Sequence, residues 1–258
     1  MLGAIAGDII GSIYERSAMK TTEFPLFSPQ CHFTDDTVLT VAVADAVMRN
    51  VSFTYAIKQY YHLYPNAGYG KMFIQWASSE EREPYNSWGN GGAMRVSPIA
   101  WAFNDLQDVL GEVEASAAAT HNHPEGVKGA QAVAAAIFMA RMGQSKREIK
   151  QYVETTFGYN VSTPLAKLRE QHTFDVSAHG SVPPAIVAAL ESSDVESAIR
   201  NAISLGGDSD TQACIAGAIA EALYGGVPDH IRLPVLHKYL DERLRGVVEL
   251  FRGQYQAG

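Results

Sequence analysis

Apolar positions recur at helical spacing along nearly the whole chain, and no stretch shows the strict alternation of a half-buried strand. The first helix is read from Gly3 to Tyr14 on Ile5, Ile9, Ile10 and Ile13. Gly3, Gly7, Gly11 and Glu15 follow every fourth position and so share one face. Each glycine costs a helix about 1 kcal/mol relative to alanine, so this ridge implies close approach by another backbone. Residues 16–33, with Pro25 and Pro29, read as a loop. Thr34 then caps a buried helix running to about Asn50.

Further helices are predicted over 53–63, 71–79, 93–103 and 107–119, separated by an aromatic loop at Tyr64 to Tyr69 and a longer one at 80–92. Pro124 suits the first turn of a helix ending near Met142, and Ser145 with Glu148 has the spacing of a capping box. The segment 157–182 is the least regular. Pro183 and Pro184 are expected to introduce a helix, and Ser193 with Glu196 a second capping box. That helix should stop at about Leu205 before Gly206 and Gly207, and Asp210 should open another reaching Tyr224. Pro228 breaks the pattern before a last amphipathic helix from about Leu233 to Phe251. With no linker or internal repeat, the expectation is one all-α domain spanning residues 1–258.

Composition narrows the function. In 258 residues, 47% are hydrophobic and 19% charged, which argues against disorder. A formal net charge of −8 argues against general nucleic-acid binding, which needs clustered Lys and Arg. Cys31 and Cys214 are too few for a disulfide framework and lack the spacing of a zinc site, so reduced thiols and a cytoplasmic location are expected. The apolar run Leu2 to Ile10 has no basic lead-in and is interrupted by Asp8, unlike a signal peptide. No apolar stretch reaches the length of a membrane span.

The chemistry lies in a repeated pattern. Thr34-Asp35-Asp36-Thr37 opens one buried helix and Asp208-Ser209-Asp210-Thr211 opens another. Either alone reads as an ordinary N-cap complementing the helix dipole. If the two helices pack side by side, however, four carboxylates converge. Like charges 4 Å apart repel by about 4 kcal/mol at an effective dielectric of about 20, and hard divalent cations remove that cost. Oxygen ligands without neighbouring Cys or His favour Mg²⁺ or Mn²⁺ over zinc. Gly89-Asn90-Gly91-Gly92 reads as a turn before a helix, a place where exposed N–H groups can hold a phosphate, though a plain loop explains it equally well. His123, before Pro124, reads first as a cap. Of the dense aromatics from Tyr60 to Trp88 most are assigned to the core, leaving one or two to stack on a base.

The ordered set Gly3-Ala-Ile-Ala-Gly-Asp-Ile-Ile-Gly-Ser-Ile-Tyr-Glu15, Thr34-Asp-Asp-Thr37, Gly89-Asn-Gly-Gly-Ala-Met-Arg95, Thr120-His-Asn-His-Pro124 and Gly206-Gly-Asp-Ser-Asp-Thr211 resembles the ADP-ribosylglycohydrolases. That family includes the dinitrogenase reductase-activating glycohydrolase and the ADP-ribosylarginine hydrolases. The resemblance implies a compact helical fold with two Mg²⁺ or Mn²⁺ ions at the bottom of an ADP-ribose cleft. It assigns Thr34, Asp35, Asp36, Asp208, Asp210 and Thr211 as metal ligands. Glu15, Asp35 and Asp36 become the catalytic set, and Gly89, Asn90, Gly91, Gly92, Met94 and His123 line the nucleotide. Some relatives carry serine at the position of Gly92, so a hydroxyl contact from there is missing. The implied activity is removal of ADP-ribose from an acceptor, arginine on a protein first, with serine, O-acetyl and nucleobase linkages as alternatives. A non-catalytic ADP-ribose reader and a metal-dependent phosphohydrolase are the competing classes.

Overall fold

The computed structural model describes residues 1–15, 17 and 19–256. Arg16 and Ala18, in the predicted 16–33 loop, lie outside the described residues. The described chain is helical, and its β pairing is a single bridge between Gly89 and Ser177.

Helix α1 (Leu2–Gly11) is buried throughout and lies against α12 (Ser209–Leu223). The glycine ridge is the reason for this contact. A methyl group added at Gly7 would overlap the Ala213 carbonyl and sit 2.6 Å from the Cys214 nitrogen, and one at Gly11 would lie 2.7 Å from Asp210 Cα. Glu221 of α12 accepts from the Gly3 N–H at 2.8 Å, one of the donors a helix start leaves without an intrahelical partner. The helix ends three residues sooner than its periodicity suggests. Glu15 therefore stands in the turn after α1, exposed, and not on the ridge itself.

Helix α2 (Asp35–Arg49) begins where Thr34 accepts from the Asp36 N–H and ends on Asn50 in the left-handed region. It packs on α1, on α3 (Phe53–Leu63), on α5 (Ser97–Ala102) and on α14 (Glu242–Tyr255). Between α3 and α5 come the short α4 (Lys71–Ala77) and a 3₁₀ turn, Asn90–Gly92, that delays the helix expected from 93. Helices α6 (Leu106–Ala118), α7 (Pro124–Arg141) and α8 (Lys146–Phe157) form the next group, and the Ser145–Glu148 capping box is present. Helix α9 (Leu165–Gln171) lies within the irregular segment. Helices α10 (Ala178–Leu190) and α11 (Val195–Ile203) pack on α12, making α12 the axis of one contiguous apolar core.

Three further boundaries differ from expectation. Pro183 and Pro184 lie inside α10, which starts five residues earlier because Ser177 caps it by accepting from the Gly180 N–H; proline's fixed φ suits a helix, and the lost hydrogen bonds and ring–carbonyl crowding are outweighed by the burial of this helix. Asp194, not Ser193, caps α11, in a box with Ser197. The last predicted helix is broken into α13 (Asp229–Pro234), a π turn at Val235–Tyr239 and α14, because Asp241 supplies a new cap. Among the described residues no helix is long and apolar enough to cross a membrane.

Candidate metal centre and cleft

Helix α1 connects the two aspartate-bearing turns. Its glycine face holds the start of α12, and its Asp8 holds the start of α2. The fully buried Asp8 carboxylate accepts four hydrogen bonds, from the Thr34 N–H (2.9 Å), the Thr34 hydroxyl (2.6 Å), the Thr37 N–H (3.0 Å) and the Thr37 hydroxyl. The Thr211 hydroxyl of α12 donates to Asp36 Oδ2 at 3.2 Å and joins the two helices directly. Both helices therefore begin at one point, which meets the condition under which the four carboxylates converge.

Carboxylate oxygens of Asp8, Asp36 and Asp210 lie within 4.8 Å of one another, all buried. Burial raises the pKa of all three, and the mutual repulsion of Asp8, Asp36, Asp208 and Asp210 raises those of Asp36 and Asp210 further. Asp35 is pushed up to about 8 by burial and by Asp8. Asp36 Oδ1 is buried with no hydrogen-bond partner. A cluster of oxygen donors that resists ionisation and has a lone pair to spare suits a hard divalent cation. Asp8 serves it differently: its four bonds are spent on shaping the Thr34–Thr37 turn.

Asp36 and Asp210, without Asp8, line the floor of a cleft of 570 Å³, a size typical of small-molecule sites. Of the residues singled out from sequence, Glu15, Thr34, Asp35, Asp36, Gly89, Asn90, Gly91, Met94, Asp208, Asp210 and Thr211 all line it. Gly92 and His123 do not. A Cβ at Gly92 would abut His121 Cβ at 3.2 Å, so a serine there would press on the histidine side chain. His123 caps α7, its Nδ1 accepting from the Glu125 N–H at 3.1 Å, and the histidine on the cleft wall is His121. Asn90 spends its amide on the frame, donating to Asp208 Oδ2 (2.5 Å) and Ser181 Oγ (2.9 Å).

Four elements escaped the sequence reading: Asp8, His121 with Arg95, the Asn66–Phe73 wall, and the Phe174–Val176 rim; Tyr85, one of the aromatics left open for stacking, does line the cleft. Asp8 had left a signal, since a carboxylate inside an otherwise apolar helix needs a partner. Most of the aromatics are core: Tyr60, Tyr61, Tyr69 and Trp76 are buried, while Trp88 is exposed beside the rim.

A model of the ADP-ribosylglycohydrolase family matches residues 1–257, and the chain belongs to that family. It is a hydrolase of the ADP-ribosylglycohydrolase type. It is 28% identical to the ADP-ribosylhydrolase ARH3 of Mus musculus, covering 87% of this chain and 82% of that protein, and 29% identical to ARH3 of Homo sapiens, covering 87% and 84%. It is 25% identical to the ADP-ribosylarginine hydrolase Tri1 of Pseudomonas putida (strain GB-1), covering 88% and 71%. In fold it is similar to a chain of an ADP-ribosylglycohydrolase-related protein complex, with a TM-score of 0.74 at 22% identity over 98% of this chain and 97% of that one.

Proposed function

We propose that this protein releases ADP-ribose by hydrolysis at the anomeric carbon, using two Mg²⁺ or Mn²⁺ ions held by Thr34, Asp35, Asp36, Asp208, Asp210 and Thr211. The observation that carries this reading is the convergence of the two aspartate turns at the floor of the cleft, with Asp36 Oδ1 unpartnered. Bound there, the ions supply positive charge for a substrate's ribose hydroxyls and lower the pKa of a water. The chain's own groups do the rest. The Gly89–Gly91 turn lies above the floor and gives a diphosphate close access to backbone. Glu15, exposed on the cleft wall, positions or deprotonates the attacking water. Its place in a turn, not on the buried ridge, leaves its carboxylate within reach of solvent.

The acceptor is broader than arginine in this reading. The ARH3 relatives' name specifies no acceptor, and the arginine-specific name belongs to a relative of which a smaller share is matched. Incubation with Mg²⁺ or Mn²⁺ and ADP-ribosyl-arginine, ADP-ribosyl-serine and O-acetyl-ADP-ribose should release free ADP-ribose from at least one, and EDTA should stop it. Binding of ADP-ribose without release from any of the three would favour a non-catalytic reader.

A further inference from the structure

A second cavity, of 520 Å³, adjoins the cleft. His32, Phe33, Asn66 and Ala67 line both, and beyond this shared wall the second cavity is bounded by Leu63, Tyr64, Lys238 and Tyr239. Its aromatic walls are fixed in place. The Tyr64 ring meets Phe33 edge-on with 5.8 Å between centroids, and its hydroxyl donates to Asp241 Oδ2 at 2.8 Å. Tyr239 stacks on Phe27 at 5.3 Å and donates to the Ser28 carbonyl at 3.1 Å. Lys238 is exposed, its ammonium 4.9 Å from the Tyr239 ring centre. Among the described residues lining this cavity Lys238 is the one lysine or arginine, and there is no aspartate or glutamate. On a chain of net charge −8 this is a local reversal of sign. Past Tyr64 the charges are mixed, with Asp241, Glu242 and Arg243 together.

The order of groups in ADP-ribose decides what the cavity faces. The bond to be broken is on the terminal ribose, which follows the adenosine and the diphosphate. With the diphosphate along the Gly89–Gly91 turn and that ribose over the aspartates, the acceptor must lie on the side away from the turn. Gly89 pairs with Ser177. The shared wall belongs to other elements, Phe33 just before Asp35 and the loop in which a Cβ on Gly68 would lie 3.5 Å from Asp35 Oδ1. An acceptor that is a protein side chain brings its own main chain with it. Fixed aromatic faces beside an exposed ammonium suit a peptide of acidic character.

We propose that this cavity is the acceptor subsite, taking the polypeptide stretch that carries the ADP-ribosyl group, and that Lys238 sets its specificity by favouring an acidic residue next to the modified one. The proposal rests on the reading of the cleft given above. An exposed ion pair changes an equilibrium by about fivefold at most and weakens with salt, so the preference should be modest and salt-sensitive.

The test uses peptides ADP-ribosylated on one arginine or one serine, with glutamate, alanine or lysine beside it, and kcat/KM measured with Mn²⁺ at low salt. The wild type should favour the glutamate peptide over the lysine peptide about threefold, and about 0.5 M NaCl should level them. Lys238→Gln should level them at low salt, and Lys238→Glu should reverse the order. A role in folding alone would lower all three rates together and leave the order as it was. Equal rates on the three peptides in the wild type, or an unchanged order in Lys238→Glu, would overturn the proposal. Should no peptide be hydrolysed, fluorescence anisotropy of the same series decides. A glutamate preference in binding that Lys238→Glu reverses would uphold the subsite and count against the proposed hydrolysis, whereas equal binding, or none, would overturn the subsite.

Discussion

Replacing Gly7 with alanine should weaken the fold and the metal centre together. Side-chain carbons essentially never come within 3.0 Å of other heavy atoms, yet the new methyl would lie 2.6 Å from the Cys214 nitrogen and overlap the Ala213 carbonyl. Both are backbone atoms of a buried helix, so α1 and α12 must separate. Overpacking costs roughly 1–3 kcal/mol, and a collision with backbone belongs at the upper end, against about 1 kcal/mol gained in helix propensity. At a net loss of about 2 kcal/mol, the thermal midpoint of a chain this long should fall by about 4–8 °C. Because Asp210 and Thr211 ride on the start of α12, Mn²⁺ affinity should fall too. Gly111→Ala is the internal control: it lies exposed within α6 with nothing within 4 Å of its added Cβ, and should gain about 0.5–1 kcal/mol. Midpoints measured by scanning calorimetry and affinities by titration calorimetry check both variants. A Gly7→Ala protein as stable as Gly111→Ala, with wild-type ion affinity, would refute the close-contact explanation of the ridge.

Asp8→Asn should cost roughly 2–4 kcal/mol of stability and at least tenfold in ion affinity, since an amide has one accepting oxygen for the four donors that two carboxylate oxygens serve, read by chemical denaturation and ion titration; wild-type values would show that Asp8 does not shape the turn. Glu15→Gln should cut turnover by about a hundredfold or more while melting and ion binding stay unchanged; full activity would remove Glu15 from the chemistry. The Asp35 carboxyl keeps its proton in the folded metal-free protein up to about pH 8 but loses it near 3.8 when unfolded. Its contribution to stability therefore falls as pH rises between those values. The melting temperature in EDTA should decline more steeply from pH 5 to 8 in the wild type than in Asp35→Asn, a difference that removes the histidines' share. Equal slopes would show that Asp35 is ionised in the folded protein.

The helices and the aspartate turns were legible because capping and periodicity are local. Thr34 and the Ser145–Glu148 box stand where their spacing put them. The close approach of α1 was legible too, from glycines too frequent for a free-standing helix. What spacing did not carry was direction. His121 and His123 are two residues apart, and which one faces the cleft depends on how α7 meets the preceding turn. Glu15 continued the ridge in register, but the chain leaves the helix after Gly11 and places the carboxylate by a turn. Asp8 was visible only as an interruption, because its partners are 26 and 29 residues away. Pro183 and Pro184 misled for the opposite reason: a local helix breaker was overridden by the packing of α10 on α12.

The proposed metal centre rests on the Asp36–Asp210 cluster. Titration calorimetry with Mn²⁺ near pH 7, repeated in buffers of different ionisation enthalpy, tests it most directly. The carboxyls with raised pKa values must give up protons to bind, so two ions should bind with net proton release, and Asp36→Asn with Asp210→Asn should abolish high-affinity binding. Absence of binding in the wild type, or binding that survives in the double variant, would contradict the claim.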